Sequence, residues 1–154
     1  MTTNGRRIVD RTIECTYRHS SAPSYRDRAR IDLVYDTTEP LSVMMLVSGD
    51  HAAPHDGGHA EPWLVSRDVL RDITSGAQSA GMDCLTVRLL DTATVALTLW
   101  EPRANPFTGF RGHMTIFVPH GELQAFVADT LTLVPADREI ELLDIDKALQ
   151  TLFA

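Results

Sequence analysis

Alternation of apolar and polar residues dominates the first third of the chain. In the segment 7–18, polar residues separate the apolar positions, as in a strand that buries one face. These apolar positions are Val9, Ile13, Cys15 and Tyr17. The segment 29–35 repeats the pattern, so we expect two strands that pair as a hairpin or near neighbours across the loop 20–24. The segment 41–47 is apolar enough to predict a strand covered on both faces, with Met44 and Met45 as core filler.

Turn and helix signals follow these strands. Asp36 is suited to accept backbone N–H groups ahead of it in a turn over 36–40, and Pro40 fixes the exit of that turn. The segment 63–65 indicates the end of a strand, and Ser66 is a good N-cap for a short helix that begins at Arg67. The predicted helix has an apolar face and a polar face. The apolar face holds Val69, Leu70 and Ile73, and the polar face holds Arg67, Asp68, Arg71 and Asp72.

Further strands and helices are predicted in the second half. Small residues indicate a loop at 74–81, and alternation at 85–89 and 95–99 predicts a hairpin that turns at Asp91 and Thr92. The excursion 101–110 carries Phe107 and Phe110, for which folding back onto a sheet end is more common than anchoring a partner. A strand at 112–118 and a helix at 121–132 follow. A C-terminal helix with Asp144 as N-cap is expected to dock an apolar stripe of Leu142, Ile145, Leu149 and Leu152.

Composition limits the class of protein. The 154 residues are 44% apolar and 23% charged, which is typical of one globular domain spanning 1–154. The N-terminus has no apolar signal core, and no segment has the eighteen or so apolar residues of a membrane span, so we expect a cytoplasmic protein without membrane insertion. In a reducing compartment Cys15 and Cys84 are most simply buried small hydrophobic residues.

Charge is distributed unevenly along the chain. The net charge is −7, but residues 1–30 hold seven arginines against three acidic residues, which makes this segment +4 and the remainder −11. Phosphate binding needs clustered basic residues, so the total makes nucleic-acid binding unlikely. The basic segment has two interpretations, an edge that steers a charged partner or two solvated strand faces, of which the second is the more common.

Histidines offer the main candidates for metal or acid–base chemistry. His51, His55 and His59 recur every four residues in a loop over 51–62, but its proline and glycines disfavour the helix that would bring them together. An exposed loop is therefore favoured over a metal site, and no cofactor is implied. His113 and His120 lie beside strand and helix patterns, where a satisfied structural histidine is the common state. No residue pair has the spacing of a nucleophile and its base, so we do not expect an enzyme.

Three ordered motifs resemble one protein family. Residues Tyr35 to Val43 (YDTTEPLSV), Trp63 to Leu70 (WLVSRDVL) and Asp144 to Leu149 (DIDKAL) closely resemble motifs of the SsgA-like sporulation and cell division proteins of actinobacteria. The resemblance covers roughly residues 30–152, and the order and spacing of the motifs make it more specific than any one of them. The loops 51–62 and 101–110 look like insertions, and the N-terminal arginines have no counterpart in the family.

The resemblance implies an α+β fold of mostly antiparallel β-sheets with two to three helices, similar to the Whirly single-stranded nucleic-acid binders and assembled as a homotrimer. It also implies a non-catalytic protein of the cytoplasm and of division septa. Such a protein would help to position the septum in sporulation-type division through contacts with division proteins such as FtsZ. The residues that carry the motifs would support the fold more than contact a partner. They are Tyr35, Asp36, Pro40, Trp63, Arg67, Asp68 and Leu70.

Two other classes of function remain open at this point. A single-stranded nucleic-acid binder would use Arg26, Arg28 and Arg30 for phosphates, with Tyr17 and Tyr25 as stacking platforms. The net charge weakens this alternative. A metal-dependent enzyme, which would need the histidine-rich loop 51–62, is the least favoured of the three classes of function.

Overall fold

Strands account for most of the regular structure. The computed structural model describes residues 5–49, 62–82, 84–101, 103–143 and 145–153. The strands are β1 (Ile8–His19), β2 (Asp27–Asp36), β3 (Ser42–Gly49), β4 (Trp63–Ser66), β5 (Ser79–Met82), β6 (Leu85–Leu89), β7 (Thr94–Trp100) and β8 (His113–Pro119). The helices are α1 (Arg67–Thr74), α2 (His120–Leu133), α3 (Glu139–Leu142) and α4 (Ile145–Leu152), with a 3₁₀ helix at Ala136–Arg138.

The described strands form one antiparallel sheet in the order β4-β3-β2-β1-β8-β7-β6-β5. The predicted α+β class with antiparallel pairing is therefore confirmed, and the predicted hairpin of the first two strands is β1–β2, with Ile13 opposite Ile31. Sequence-distant strands meet at the centre, where the end of β1 pairs with β8. The order of the sheet thus brings the two halves of the chain together.

Helices α1 and α2 pack on one face of this sheet. Leu70 and Ile73 of α1 and Leu123 and Phe126 of α2 are fully buried in the same cluster as the inward residues of the strands. The inward strand residues include Ile13, Ile31, Leu33, Tyr35, Val43, Met45, Val87, Leu97 and Ile116. Burying large apolar side chains at this density is the main stabilising contribution to such a fold. The opposite face of the sheet, called here the open face, holds the alternate residues of each strand.

The turn after β2 forms as the sequence predicts. The Asp36 carboxylate accepts hydrogen bonds from the Thr38 N–H at 2.9 Å and the Thr38 hydroxyl at 2.8 Å. The buried Tyr35 hydroxyl donates to the Pro40 carbonyl at 3.1 Å, which closes the turn from the core side. The two predicted turn residues therefore hold the connection between β2 and β3 from opposite sides.

Helix α1 begins at Arg67 as predicted, but its N-terminus is satisfied differently. Ser66 is the N-cap with extended backbone, yet its hydroxyl makes no capping hydrogen bond. The Arg67 N–H instead donates to the Leu41 carbonyl at 2.9 Å, next to the last residue pair of the β3–β4 ladder, Ser42 and Ser66. A tertiary hydrogen bond therefore satisfies one of the N–H groups that are unpaired at any helix N-terminus.

Three expectations about strands and loops need correction. The predicted loop 74–81 contains part of β5, because backbone pairing with β6 extends the sheet through small residues that carry no strand signal. The predicted double coverage of the third strand is wrong, since Met45 is buried but Met44 on the open face is only half-buried. Phe107 does not fold back, since it is 95% exposed in a loop held by its own hydrogen bonds to Asn105.

The expected docking of the C-terminal apolar stripe is met at Leu142, which packs against the core, but is wrong for Leu149 and Leu152. A helix forms at Ile145–Leu152, but Leu149, Leu152 and the following Phe153 are exposed, at 78% for Leu152 and 84% for Phe153. The predicted N-cap Asp144 and the histidines of the loop 51–62 lie outside the described residues. In the ranges that are described, no helix has the length and apolar character that crossing a membrane requires.

Candidate interaction face

The most deeply buried charged side chain in the described structure belongs to the second sequence motif. Arg67 is 1% exposed, although its helical spacing places it on the predicted polar face of α1. Its guanidinium lies over the Tyr35 ring, 4.9 Å from the ring centroid. The predicted solvent-facing position of Arg67 is wrong, because neighbouring elements cover the start of α1 where an isolated helix would be exposed.

Arg67 is held by α2 and the segment that follows it. It donates to the carbonyl of Thr130 at 3.2 Å and to that of Val134 at 2.7 Å, at the C-terminal end of α2. Its Nε and one terminal nitrogen also donate to the carboxylate of Glu139, which is 7% exposed. The carbonyls at a helix C-terminus carry partial negative charge, so a guanidinium is a favourable partner there. Arg67 therefore links α1, the end of α2 and α3 in one charged network.

This network affects the ionisation of the residues around it. Burial raises the pKa of the Tyr35 hydroxyl, and the Glu139 carboxylate adds to this while the Arg67 guanidinium opposes it. At the exposed side of the same turn, partial burial alone would raise the pKa of Asp36. Hydrogen bonds from Thr38 and the guanidinium of Arg6 outweigh that effect and hold the pKa of Asp36 below its ordinary value.

The other motif residues divide between core and surface. Leu70 is buried, and Trp63 is half-buried against the core. Asp68, on the predicted polar face of α1, forms an i,i+3 ion pair with Arg71 at 3.1 Å in partly exposed surroundings. Exposed pairs of this kind contribute at most about 1 kcal/mol. Leu70 and Trp63 therefore contribute to the packing between helix and sheet, whereas Asp68 lies at the surface.

The open face carries a different set of side chains. Across β1, β8, β7 and β6, strand register aligns two rows of residues on this face. One row is Thr16, Phe117, Ala96 and Arg88, and the other is Arg18, Thr115, Thr98 and Thr86. Directly opposed residues of an antiparallel sheet point to the same side, so these small and hydroxyl side chains form a floor with aromatic and basic residues around it.

Arginines stack on the aromatic side chains of this face. The Arg26 guanidinium lies 3.6 Å and the Arg18 guanidinium 5.5 Å from the centroid of the Phe117 ring. Trp100 contacts the His113 ring, with centroids 4.4 Å apart, and its indole N–H donates to the Thr86 hydroxyl at 3.2 Å. Stacking of a guanidinium on a ring fixes its plane and leaves the N–H edges directed outward.

These residues surround a groove of about 570 Å³, called here the arginine groove. Its walls include Arg18, Arg88, Trp100, His113 and Phe117. Among the lining residues that the structure describes there is no aspartate or glutamate, and neither Arg18 nor Arg88 forms an ion pair with a described residue. The groove is therefore a basic site on a chain with net charge −7.

An apolar patch lies at the other end of the open face. Strand register places Val34, Met44 and Leu64 side by side on β2, β3 and β4. Leu64 is 76% exposed, and the other two are half-buried. The same open face therefore presents a basic groove at one end and an apolar patch near the β4 edge.

Only some of the residues proposed for nucleic-acid binding lie at the surface of the structure. Tyr17 is buried on the helix side of β1, so its proposed role as a stacking platform is wrong, whereas Tyr25 is exposed. Arg28 and Arg30 are exposed on the open face, beside β1 rather than in the groove.

The expectation of satisfied histidines is not met at two ring nitrogens. His113 Nδ1 and His120 Nε2 are buried and have no hydrogen-bond partner among the described residues. The described residues contain no group of three His, Cys, Asp or Glu placed to hold a metal ion. The cysteines are half-buried rather than fully buried, and burial together with the nearby Glu14 raises the pKa of the Cys15 thiol to about 12.

Comparisons with known proteins identify the family to which the motifs correspond. The family described as Streptomyces sporulation and cell division protein, SsgA, matches residues 29–139. The chain is 32% identical over 130 residues to the sporulation-specific cell division protein SsgB of Salinispora tropica, covering 81% of this chain and 80% of that protein.

Two solved structures share the fold. An SsgA-like sporulation-specific cell division protein from Thermobifida fusca aligns with a TM-score of 0.66 and 16% identity, over 94% of this chain and 95% of that one. An SsgB structure associated with longitudinal cell division in sporulating Streptomyces coelicolor aligns with a TM-score of 0.62 and 20% identity, over 88% and 97% of the two chains. At these identities the structural likeness concerns the fold.

Proposed function

Because this chain belongs to the SsgA family of sporulation and cell division proteins, we propose that it acts in sporulation-type cell division as a non-catalytic protein that contacts the division machinery. Family membership supports the role in division. In this proposal the partner is FtsZ, and the protein contacts it at the division septum on the cytoplasmic side of the membrane. The protein would bring FtsZ to division sites or hold it there.

One structural observation carries the mode of action. The open face of the sheet combines a basic groove with an exposed apolar patch around Leu64, while the motif residues Tyr35, Arg67 and Leu70 are buried on the other face. Aromatic and arginine side chains supply most of the energy at protein interfaces, so this surface is suited to binding a protein partner.

The decisive experiment is co-sedimentation of the purified protein with assembling FtsZ from the same organism. We expect this protein in the pellet only when FtsZ polymers are present, or a changed polymer mass. A labelled single-stranded oligonucleotide is tested in the same buffer. Absence of co-pelleting and of any change in polymer mass would refute direct FtsZ binding, and binding of the oligonucleotide alone would favour the alternative of a nucleic-acid binder.

We also propose that the chain assembles as a homotrimer with a Whirly-like arrangement. The apolar residues Leu149, Leu152 and Phe153 remain exposed in the single chain, which supports burial against another copy. Light scattering after size-exclusion chromatography should give three times the monomer mass of 17.1 kDa. A monomer at working concentrations would refute the trimer without affecting the FtsZ test.

Finally, we propose that the family-motif residues maintain the fold and do not contact the partner. The proposal covers Tyr35, Asp36, Pro40, Trp63, Arg67, Asp68 and Leu70. It rests on the buried network of Arg67 and on the turn held by Asp36. Conservative variants of these residues should lose stability first and FtsZ binding only in proportion to unfolding.

A further inference from the structure

We propose that the arginine groove binds an extended acidic peptide segment of a partner protein, with carboxylates held by Arg18 and Arg88. This goes beyond the role in division, because it assigns a binding site and a ligand chemistry whether or not the partner is FtsZ. The occupant is recognised by its negative charge and its extended backbone.

The charge of the groove selects an anionic ligand. Arg18 and Arg88 are exposed, and no described carboxylate pairs with either of them. Arg26 adds a third guanidinium at the rim, where its face is packed on Phe117. Guanidinium groups bind carboxylates through two parallel hydrogen bonds, and stacking of the face leaves the N–H edges available for this. The positive groove on an acidic chain therefore complements an acidic segment.

The shape of the groove favours an extended chain. Its floor consists of small side chains, including Ala96, Thr98 and Thr115, so a peptide backbone is able to approach the sheet closely. The hydroxyls of Thr98 and Thr115 bond to each other at 3.2 Å, which keeps the floor compact. Trp100 forms a wall against which an apolar side chain of the peptide is able to pack.

The spacing of the arginines predicts the spacing of the acidic residues. Arg18 and Arg88 lie on β1 and β6, with β8 and β7 between them. Neighbouring strands are about 4.8 Å apart, and Arg88 is offset by two residues along the strands from the row that contains Arg18, so the two arginines are separated by roughly 16 Å at the backbone. An extended peptide rises about 3.3 Å per residue, and side chains four residues apart point to the same side about 13 Å apart. Acidic residues at positions i and i+4 therefore come within about 3 Å of the arginine spacing, a difference that the long arginine and glutamate side chains are able to span.

A nucleic acid is the other class of anion, and the structure favours the peptide. A polyanion that runs past the groove meets the rest of a chain with net charge −7, whereas two or three carboxylates are neutralised inside the groove. The stacking platforms of nucleic-acid binders are exposed aromatic rings. Phe117 is buried beneath Arg26 and is not available to a base.

The test uses the full chain labelled with ¹⁵N and a synthetic nine-residue peptide with glutamate at the third and seventh positions, threonine elsewhere and one central leucine. We expect titration of the peptide to shift the Trp100 indole and the amides of the groove strands. A peptide with glutamine at both positions, a peptide with the glutamates adjacent, and a ten-residue oligothymidine are titrated in parallel.

Two charge-matched variants locate the site. Arg18→Gln/Arg88→Gln should weaken peptide binding by about tenfold, since two exposed charge pairs are lost and each is worth about a three- to fivefold step in affinity. Arg30→Gln/Arg138→Gln removes the same two charges outside the groove and should leave the affinity within about twofold. A cooperative thermal unfolding transition of each variant serves as the control that both are folded.

Each remaining outcome counts against the proposal. Absence of groove shifts at millimolar glutamate peptide overturns it, and so does equal binding of the glutamine peptide. Tighter binding of oligothymidine than of the peptide assigns the groove to nucleic acid instead. Equal binding by the two double variants shows that net charge, and not the groove, attracts the peptide. None of these outcomes depends on the FtsZ co-sedimentation.

Discussion

Replacing Arg67 with methionine should be among the most destabilising single substitutions in the described structure. Methionine retains an unbranched stem but leaves the carboxylate of Glu139, 7% exposed, without its cation. It also removes the donor to the carbonyls of Thr130 and Val134. Breaking a buried ion pair at one partner costs about 3–5 kcal/mol, a large part of the roughly 5–15 kcal/mol of a typical domain.

Urea denaturation followed by circular dichroism measures this effect. With a urea dependence of about 2 kcal/mol per molar, the midpoint should fall by roughly 1.5–2.5 M. Arg71→Met on the same helix is the matched control, because Arg71 forms only a partly exposed pair with Asp68, and its cost should stay below about 1 kcal/mol.

A double-mutant cycle isolates the pair from the loss of packing. Arg67→Met/Glu139→Leu removes both charges, so it should be more stable than the sum of the two single substitutions predicts, by at least about 2 kcal/mol. An Arg67→Met cost below about 1 kcal/mol, or strictly additive single costs, would show that the network does not hold the helices to the sheet.

Three further predictions concern local features. Asp36→Asn should lower the free energy of unfolding by about 1 kcal/mol at pH 7. Because folding lowers the pKa of Asp36 from 3.8, its contribution is complete above that pH and is lost as the pH falls through the folded value, so acid titration of both proteins should bring their stabilities together. In a Cys84→Ser background, iodoacetamide at pH 8 should modify Cys15 about a hundredfold or more slowly in the folded protein than in urea. The reason is that a thiol with a pKa of about 12 stays protonated at pH 8. Equal modification rates, followed by mass spectrometry, would contradict this. Gly81→Ala should lower the free energy of unfolding, measured by thermal unfolding, by more than about 1 kcal/mol, because φ is +86° and a Cβ would lie 2.5 Å from a backbone carbonyl oxygen. The control is Gly121→Ala, where a Cβ would have nothing within 4 Å, and this substitution should be neutral or stabilising.

The sequence motifs predicted the family, and the comparisons confirm it. Periodicity located most strands, and the N-cap signal of Ser66 located the start of α1 at Arg67, because both depend on neighbouring residues. It missed β5, where Ser79, Ala80 and Gly81 form a strand only through pairing with β6. It also predicted that Leu149 and Leu152 dock, since periodicity identifies an apolar face but not whether a surface is present to receive it.

The burial of Arg67 likewise depends on tertiary structure and not on local sequence. The sequence placed Arg67 on the solvent side of its helix because helical spacing describes the helix alone. Its partners lie 63 to 72 residues further along the chain, and only the packing of α2 and α3 brings them to it. The one signal available was an arginine inside a family motif.

The arginine groove was also beyond sequence reasoning. Arg18 and Arg88 each occupy the polar half of a strand pattern, which indicates only that they face away from the core. The sequence by itself determined the local elements, the turn at Asp36 and the family, because short-range spacing and motif order carry that information. The tertiary structure decided which charges are buried and which side chains share the open face, because strand order and helix packing join residues that are far apart in the chain.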